Sequence, residues 1–185
     1  MKTIAYHGTS ADNLQSILEN GLSCNEPKIW SASCDGVYMW EVDTLRKFND
    51  YDEDYKHEEA FREAFMSAQC ALAFAKDCRA VVVEFEIDTE EIHEDDSNPN
   101  GHNGAMVYYD NIPIEAIKSI KISNDLSLLK GYFIGMIMNS EMLMTGFTHL
   151  EQKIGDLFMK GGSIYPEDID DIVSWQEVEI PELAQ

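Results

Sequence analysis

A histidine followed by a glycine and a threonine lies near the start of the chain, at His7, Gly8 and Thr9. The apolar run before it predicts a strand from Thr3 to His7, so the imidazole is expected where that strand ends. A glycine leaves the neighbouring backbone uncovered, and its N–H and C=O groups can pair with an amide. An imidazole can hydrogen-bond a ribose hydroxyl. The pattern therefore predicts a corner that binds a flat polar heterocycle.

A short helix is predicted directly after this run, from Ala11 to Asn20. Its apolar residues recur on one side at helical spacing. Ser10 is a favourable N-cap, and Asp12 in the first turn complements the helix dipole. Gly21 suits the left-handed conformation that commonly ends a helix. These signals place the histidine between a strand and a helix.

Further helices and strands follow from the periodicity of the apolar residues. The longest amphipathic stretch predicts a helix from His57 to Lys76, and the strongest strand signal runs from Ala80 to Ile87. The other predicted elements are strands at Gly36–Trp40, Ala105–Tyr109 and Ser119–Ile122, and one helical turn at Ile114–Ala116. The stretch from Asp88 to Asn100 is predicted as an acidic loop.

The pattern changes near Asn124, which predicts a first domain over 1–124 and a helical, acidic extension over 125–185 packed on it. A second amphipathic stretch in this extension runs from Phe147 to Met159. Its start is rich in methionines that either fill a core or form a pliable partner surface: Met136, Met138, Met142 and Met144. The segment 167–171 predicts a solvated acidic turn.

The charge of the chain limits its partners. Lys and Arg number 13 against 35 Asp and Glu, a net charge of −22. Such a surface repels phosphate backbones, so strong nucleic-acid binding is not expected. The charge either keeps the protein soluble or attracts a basic protein surface, including as a mimic of DNA.

Cysteine spacing and hydropathy argue against a metal site and a membrane span. The four cysteines form no Cys-x-x-Cys pair and have no histidine at zinc spacing. The longest apolar stretch, from Leu126 to Met144, is interrupted by charged and polar residues. Met1 and Lys2 lead directly into a strand-like stretch rather than a signal peptide. A cytoplasmic protein with reduced thiols is therefore expected.

The order of these pieces resembles the ADP-ribosyltransferase superfamily, in the His-Tyr-Glu branch that includes diphtheria-type toxins and poly-ADP-ribose polymerases. The resemblance covers residues 3–122 and rests on His7-Gly8-Thr9 and on Gly36-Val37-Tyr38. It implies an α+β fold in which two small, mostly antiparallel sheets form a split cleft for NAD, with helices around them. The implied activity is transfer of ADP-ribose from NAD to a protein side chain with release of nicotinamide. A toxin-like origin in a bacterium or bacteriophage would fit by analogy.

The resemblance also implies roles for single residues. His7 would bind the adenosine-side ribose of NAD or help to seat the nicotinamide, the Gly8 backbone would bond the carboxamide, and Thr9 would lie beside it. Tyr38 matches the family tyrosine that stacks on the nicotinamide ring, although an aromatic residue in a strand can equally fill the core. His7 and Tyr38 are accordingly the predicted catalytic residues. The remaining predicted NAD-binding residues are Ser67 and Phe74.

The catalytic glutamate of the family has no counterpart at the expected position. When the chain is aligned on the segment 106–110, that position falls on Ala105. A methyl group neither takes a proton nor offsets developing positive charge. Candidates to replace it are Glu84 and Glu86 on the preceding strand and His102 beside the next turn. Alternating charged residues on a strand more often form its solvated face.

Three interpretations of the missing glutamate stay open. The chain is a mono-ADP-ribosyltransferase that takes a carboxylate from its target or from elsewhere in the fold. Alternatively, it has a NAD-shaped pocket without turnover and acts as an acidic binding protein or inhibitor. In the third interpretation the chain is a relative of RNA 2′-phosphotransferases, because Asn103-Gly104 and Pro113 resemble a motif of those enzymes. Those enzymes need arginines to hold phosphates, whereas the arginines of this chain lie outside the motifs, at Arg46, Arg62 and Arg79. The segment 13–22 resembles DNA-modifying relatives, but the negative charge opposes a DNA substrate.

Overall fold

A seven-stranded antiparallel β-sheet organises the described part of the protein. The structure is a computed structural model that describes residues 1–25, 35–45, 53–95, 105–138 and 172–181. In chain order the strands are β1 (Lys2–Ser10), β2 (Val37–Glu41), β3 (Ala80–Asp88), β4 (Ile92–Glu94), β5 (Ala105–Tyr108), β6 (Ile117–Ser123) and β7 (Trp175–Glu177). Across the sheet they lie in the order β4-β5-β2-β1-β3-β6-β7. With the helices around this sheet, the described residues form an α+β fold.

Four α-helices are described around this sheet. In chain order they are α1 (Leu14–Asn20), α2 (Val42–Leu45), α3 (Glu53–Leu72) and α4 (Lys130–Met138). Short 3₁₀ turns occur at Ala11–Asn13, Ile114–Ala116 and Ser127–Leu129. Within the described ranges, none of the helices combines the length and apolar character needed to cross a bilayer.

Alternation along the two central strands gives the sheet two different faces. On β3, Val81 and Phe85 are buried in the hydrophobic cluster of one face, and Val82 is buried in that of the other. On β1, Ala5 belongs to the first cluster and Tyr6 to the second. The first half of β3, from Ala80 to Val83, is buried on both faces and is therefore a continuous apolar run. In the second half, the half-buried Glu84 and Glu86 alternate with buried apolar residues.

Helix α3 lies against the face that carries Tyr6, and small side chains let it approach closely. Ala60, Ala64 and Ala68 are completely buried along one side of the helix. A Cβ atom at position 8 would lie 1.7 Å from the main-chain oxygen of Ala64. Only a glycine therefore fits at Gly8, where β1 passes under the helix.

The face that carries Ala5 is covered by the region around α1. Leu22 is buried there, directly after Gly21. The φ of Gly21 is positive, at 78°, which favours glycine, but its ψ of −159° lies outside the left-handed helical conformation predicted for the end of this helix. The start of the helix differs from the prediction, because a 3₁₀ turn at Ala11–Asn13 precedes α1. The Ser10 side chain makes no capping hydrogen bond, since this residue is buried as the last one of β1.

Residues on both sides of Asn124 share one sheet and one core. Phe133 and Ile137 of α4 are buried in the same cluster as α3, and β7 pairs with β6. The amphipathic stretch predicted at 147–159, the acidic segment 167–171 and the side chains of the four methionines lie outside the described residues.

Most predicted elements are present with small shifts of their ends. The helix predicted from His57 to Lys76 runs from Glu53 to Leu72. The edge strands β4 and β7 were not predicted, because short, polar edge strands carry little apolar alternation; β4 lies within the loop predicted at 88–100. The expectation of two small sheets is wrong for the described residues, since β1 pairs with both β2 and β3 and joins the two halves.

Candidate functional site at the separation of two strands

The two edges of β1 are paired over different lengths. Towards β3 the pairing covers the whole strand, from Lys2 to Ser10. Towards β2 it covers Ala5 and Tyr6. Strand β2 itself stays paired with β5 along residues 37–40. The sheet therefore separates between β1 and β2 from His7 onward.

His7 lies at this separation and is anchored to the neighbouring strand. Its Nδ1 atom is 2.7 Å from the main-chain oxygen of Tyr38. Because a carbonyl oxygen only accepts hydrogen bonds, Nδ1 carries the proton. In a neutral imidazole the other nitrogen, Nε2, is then a hydrogen-bond acceptor. The imidazole is half-buried, and its hydrogen bond to the Tyr38 main chain fixes its orientation.

The side chains of His7 and Tyr38 leave their strands on opposite faces of the sheet. Met39 is buried in the same cluster as Ala5, so the alternation of β2 places Tyr38 on the other face, with Trp40. The alternation of β1 places His7 on the face of Ala5. The structure therefore brings the two predicted catalytic residues together through the Tyr38 main chain.

Packing constrains Gly8 and Thr9, the two residues after this histidine. Gly8 faces α3, where a side chain would collide with the Ala64 main chain. Thr9 is buried, and its hydroxyl accepts a hydrogen bond of 2.9 Å from the Asn13 side-chain amide. The His-Gly-Thr run thus has a structural explanation at its second and third positions, in addition to any contact with a ligand.

The other two predicted NAD-binding residues, Ser67 and Phe74, lie on the α3 side of the sheet. Ser67 is half-buried on α3, about one turn beyond Ala64. Phe74 follows the end of the helix and packs, partly buried, against the cluster formed by α3 and α4. Since His7 leaves β1 on the opposite face, the sheet separates its imidazole from these two side chains.

The two glutamates considered as substitutes for the family carboxylate are engaged elsewhere. Glu84 lies on the α3 side, where it accepts a hydrogen bond of 3.0 Å from the Ser119 hydroxyl. Glu86 accepts a hydrogen bond of 2.6 Å from Lys2, and this bond lowers the pKa of the Glu86 carboxyl group. Ala105 itself is buried in β5. Neither glutamate side chain leaves β3 on the face of the His7 imidazole.

The arginines are held by acidic neighbours where the structure describes them. Arg62 donates to Glu59 at 3.2 Å within α3. Arg79 pairs with Asp77, and the hydrogen bond between them lowers the pKa of the Asp77 carboxyl group. Arg46, together with His102 and the Asn103-Gly104 turn, lies outside the described residues.

A pocket on the α3 side of the sheet is not indicated by the sequence. Its volume is about 270 Å³, and its polar lining includes Tyr6, His57, Glu84, Ser119 and Lys121. The Tyr6 hydroxyl is 2.8 Å from His57 Nδ1. Burial raises the pKa of this hydroxyl, and the nearby Glu84 raises it further, so the phenol stays neutral. The strand pattern could have placed Tyr6 and Glu84 on one face, but it contains no signal for His57.

Comparisons with known proteins identify no relative of this chain, so the site is interpreted from its geometry. No protein-family model, curated protein or solved structure matches the chain. Among the side chains that the structure describes, no group of three or more His, Cys, Asp or Glu residues is arranged to hold a metal ion. The function is therefore inferred from the residues at the strand separation.

Proposed function

We propose that the protein transfers ADP-ribose from NAD to a side chain of another protein, at the separation between β1 and β2. The observation that carries this proposal is the hydrogen bond between His7 Nδ1 and the Tyr38 carbonyl oxygen. It fixes the imidazole where the β1–β2 ladder ends and leaves the proton on Nδ1, so that in the proposed complex Nε2 accepts a hydrogen bond from a ribose hydroxyl. The resemblance of the His7-Gly8-Thr9 run to ADP-ribosyltransferases supports NAD as the substrate.

The proposed reaction replaces one bond to the ribose C1′ carbon by another. The bond from C1′ to the nicotinamide nitrogen breaks, and the ring leaves as neutral nicotinamide with the electron pair. A nucleophilic side chain of the acceptor forms the new bond to C1′, and its proton, where it has one, passes to solvent. In this scheme His7 positions the ribose through a hydroxyl group, and main-chain groups beside Gly8 hold the carboxamide.

The ribose gains positive charge in the transition state, and a carboxylate would offset it. Ala105 supplies none, and Glu84 and Glu86 are directed to other partners. We therefore assign this carboxylate to the acceptor, as the attacking Asp or Glu side chain. The net charge of −22 favours an acceptor with a basic surface around that side chain.

Thermal unfolding with NAD tests whether the site binds its substrate. At ten times the dissociation constant, ligand linkage stabilises the fold by about 1.4 kcal/mol, which raises the unfolding midpoint by about 3–6 °C. His7→Ala should remove this shift, whereas His93→Ala, which changes an exposed histidine of β4, should keep it. A wild-type protein whose midpoint does not respond to NAD contradicts the proposal.

Turnover is measured separately, by nicotinamide release and by transfer of label from NAD to proteins of a cell lysate. We expect both signals from the wild-type protein and from His93→Ala, and neither from His7→Ala. Tyr38→Ala keeps the main-chain carbonyl that anchors His7, and the Tyr38 side chain leaves the sheet on the other face, so this variant should retain both signals.

A NAD-binding or acidic binding protein without turnover is the second candidate function. The buried methyl group of Ala105 at the position of the family glutamate favours it. In that case NAD raises the unfolding midpoint but no nicotinamide is released. A decoy of a basic partner would show no response to NAD and a pull-down that is lost at high salt.

A further inference from the structure

The pocket on the α3 side of the sheet combines opposite charges with an apolar wall. Its volume is about 270 Å³, and both Glu84 and Lys121 line it. Phe61 of α3 and Val82 of β3 supply apolar surface. The Phe61 ring is itself fixed by Trp175, at a centroid separation of 5.0 Å. The walls of the pocket are thus built from three strands, β1, β3 and β6, and from helix α3 rather than from a loop.

Two glutamates line this pocket, the exposed Glu58 and the half-buried Glu84, and Glu84 is held by neutral groups. Glu84 accepts a hydrogen bond from the Ser119 hydroxyl. It is also opposite Tyr6 in the β1–β3 ladder and lies beside the neutral phenol of that residue. The Glu84 side chain is half-buried, so water screens it less than it screens an exposed side chain. A cation bound here would therefore gain more from Glu84 than from an exposed carboxylate.

The cation in the pocket is likewise held without an ionic partner. The Lys121 amino group lies over the Phe61 ring, 5.1 Å from its centroid. Within the described residues no carboxylate oxygen lies within 4.0 Å of that amino group, although the chain is strongly acidic. The amino group is therefore available to an anionic ligand that enters the pocket.

The two charges are neighbours on the same face of the sheet without forming an ion pair with each other. Glu84 is opposite Ser119 in the β3–β6 ladder, and Lys121 lies two residues further along β6. Such diagonal neighbours lie about 7–8 Å apart, with their Cβ atoms somewhat closer. That spacing leaves room for a molecule whose own opposite charges face the two side chains.

We infer that this pocket binds a small zwitterion of amino-acid size. The ammonium group of the ligand would face Glu84, its carboxylate would face Lys121, and its side chain would rest on Phe61. The volume supports this class, because pockets for larger ligands usually measure about 300–1,000 Å³. A dinucleotide such as NAD exceeds it, so this site is separate from the proposed transferase site and does not depend on it.

The first experiment adds each of the twenty common amino acids, at about 10 mM, to the wild-type protein. Binding is followed by heteronuclear NMR. We expect at least one to shift amides of β3 and β6 in a saturable way. The N-acetyl and carboxamide derivatives of that amino acid each lack one charge, and we expect each to bind about tenfold more weakly or worse. If no amino acid shifts these amides, or if a derivative binds as well as its parent, the inference is wrong.

Matched variants test the two side chains. Lys121→Met and Glu84→Gln should each weaken binding of the same amino acid by about tenfold or more. Lys118→Met and Glu86→Gln are the controls, because these charges lie on the same two strands outside the pocket lining. If Lys121→Met binds as its control does, or if acetate competes as well as the amino acid, the inference is overturned. If a variant fails to fold, the measurements with the amino-acid derivatives on the wild-type protein decide by themselves whether the pocket binds a zwitterion.

Discussion

The two edges of β1 differ in how firmly they hold the rest of the sheet. The edge towards β3 is paired along the whole of β1. At the start of β1, Lys2 donates a hydrogen bond to Glu86 of β3. The edge towards β2 is paired at Ala5 and Tyr6 and then separates. The β1–β2 ladder thus ends beside His7, within one continuous sheet.

The closed end of the β1–β2 edge is held by a buried carboxylate. Glu41 is 2% exposed and accepts a hydrogen bond from the Thr3 hydroxyl of β1. It also accepts one of 2.8 Å from the main-chain N–H of Asp43, at the start of α2. The position at which the two strands separate therefore depends on side-chain bonds as well as on the ladder.

The largest effect is expected from Gly8→Ala, which tests the packing of α3 on β1 beside its fully paired edge. The new methyl group would collide with the Ala64 main-chain oxygen, which no side-chain rotation can relieve. We expect the free energy of unfolding in urea to fall by at least about 3 kcal/mol. Ser16→Ala, at an exposed position of α1, serves as the control. A Gly8→Ala protein as stable as this control would show that α3 does not press on β1 as described.

A smaller effect is expected from Glu41→Ala, which challenges the weakly held side. The change leaves the Thr3 hydroxyl and the Asp43 N–H without this acceptor, at a cost of about 1–3 kcal/mol. Hydrogen exchange should quicken in β2, while the amides shared by β1 and β3 stay protected. Glu177→Ala, on the exposed edge strand β7, should change neither quantity. Equal quickening on both sides of β1 would contradict the difference between its edges.

The smallest effect is expected from Glu86→Gln, which removes a surface ion pair from the β1–β3 side. The hydrogen bond from Lys2 lowers the pKa of Glu86 in the folded state, so its contribution is present above the ordinary glutamate pKa of about 4.3. That contribution is lost as the pH falls through the lowered value. The variant should therefore melt slightly below wild type at pH 7, and the difference should vanish at low pH and shrink with added salt. Glu115→Gln, at an exposed carboxylate, is the control; a difference that grows on acidification would contradict the assignment.

Much of the framework was predictable because its signals are local. The apolar run of β3 and the amphipathic pattern of α3 can each be read from neighbouring residues of a single strand or helix. Gly21 was predictable for the same reason, since the end of a helix requires a backbone conformation that glycine adopts easily. The presence of His7 at the end of an apolar run was likewise visible, whereas the extension of β1 to Ser10 was not.

The relation between His7 and Tyr38 was only partly predictable. The sequence indicated that they belong to one site, and a hydrogen bond of 2.7 Å joins the imidazole to the Tyr38 main chain. It did not indicate that their side chains leave the sheet on opposite faces, because that depends on the register between β1 and β2. A shift of one residue in that register would reverse the facing of one strand relative to the other.

Local residue order was thus enough to specify the strands, the helices and a histidine beside a glycine, because propensity and periodicity act over a few neighbouring residues. The pocket on the other face required the assembled fold. His57 lies 51 residues from Tyr6 in the chain, yet their side chains are hydrogen-bonded. Glu84 and Lys121 share that pocket because β6 pairs with β3 in one register. Such contacts between distant residues depend on strand order and on how α3 crosses the sheet, which no local pattern encodes.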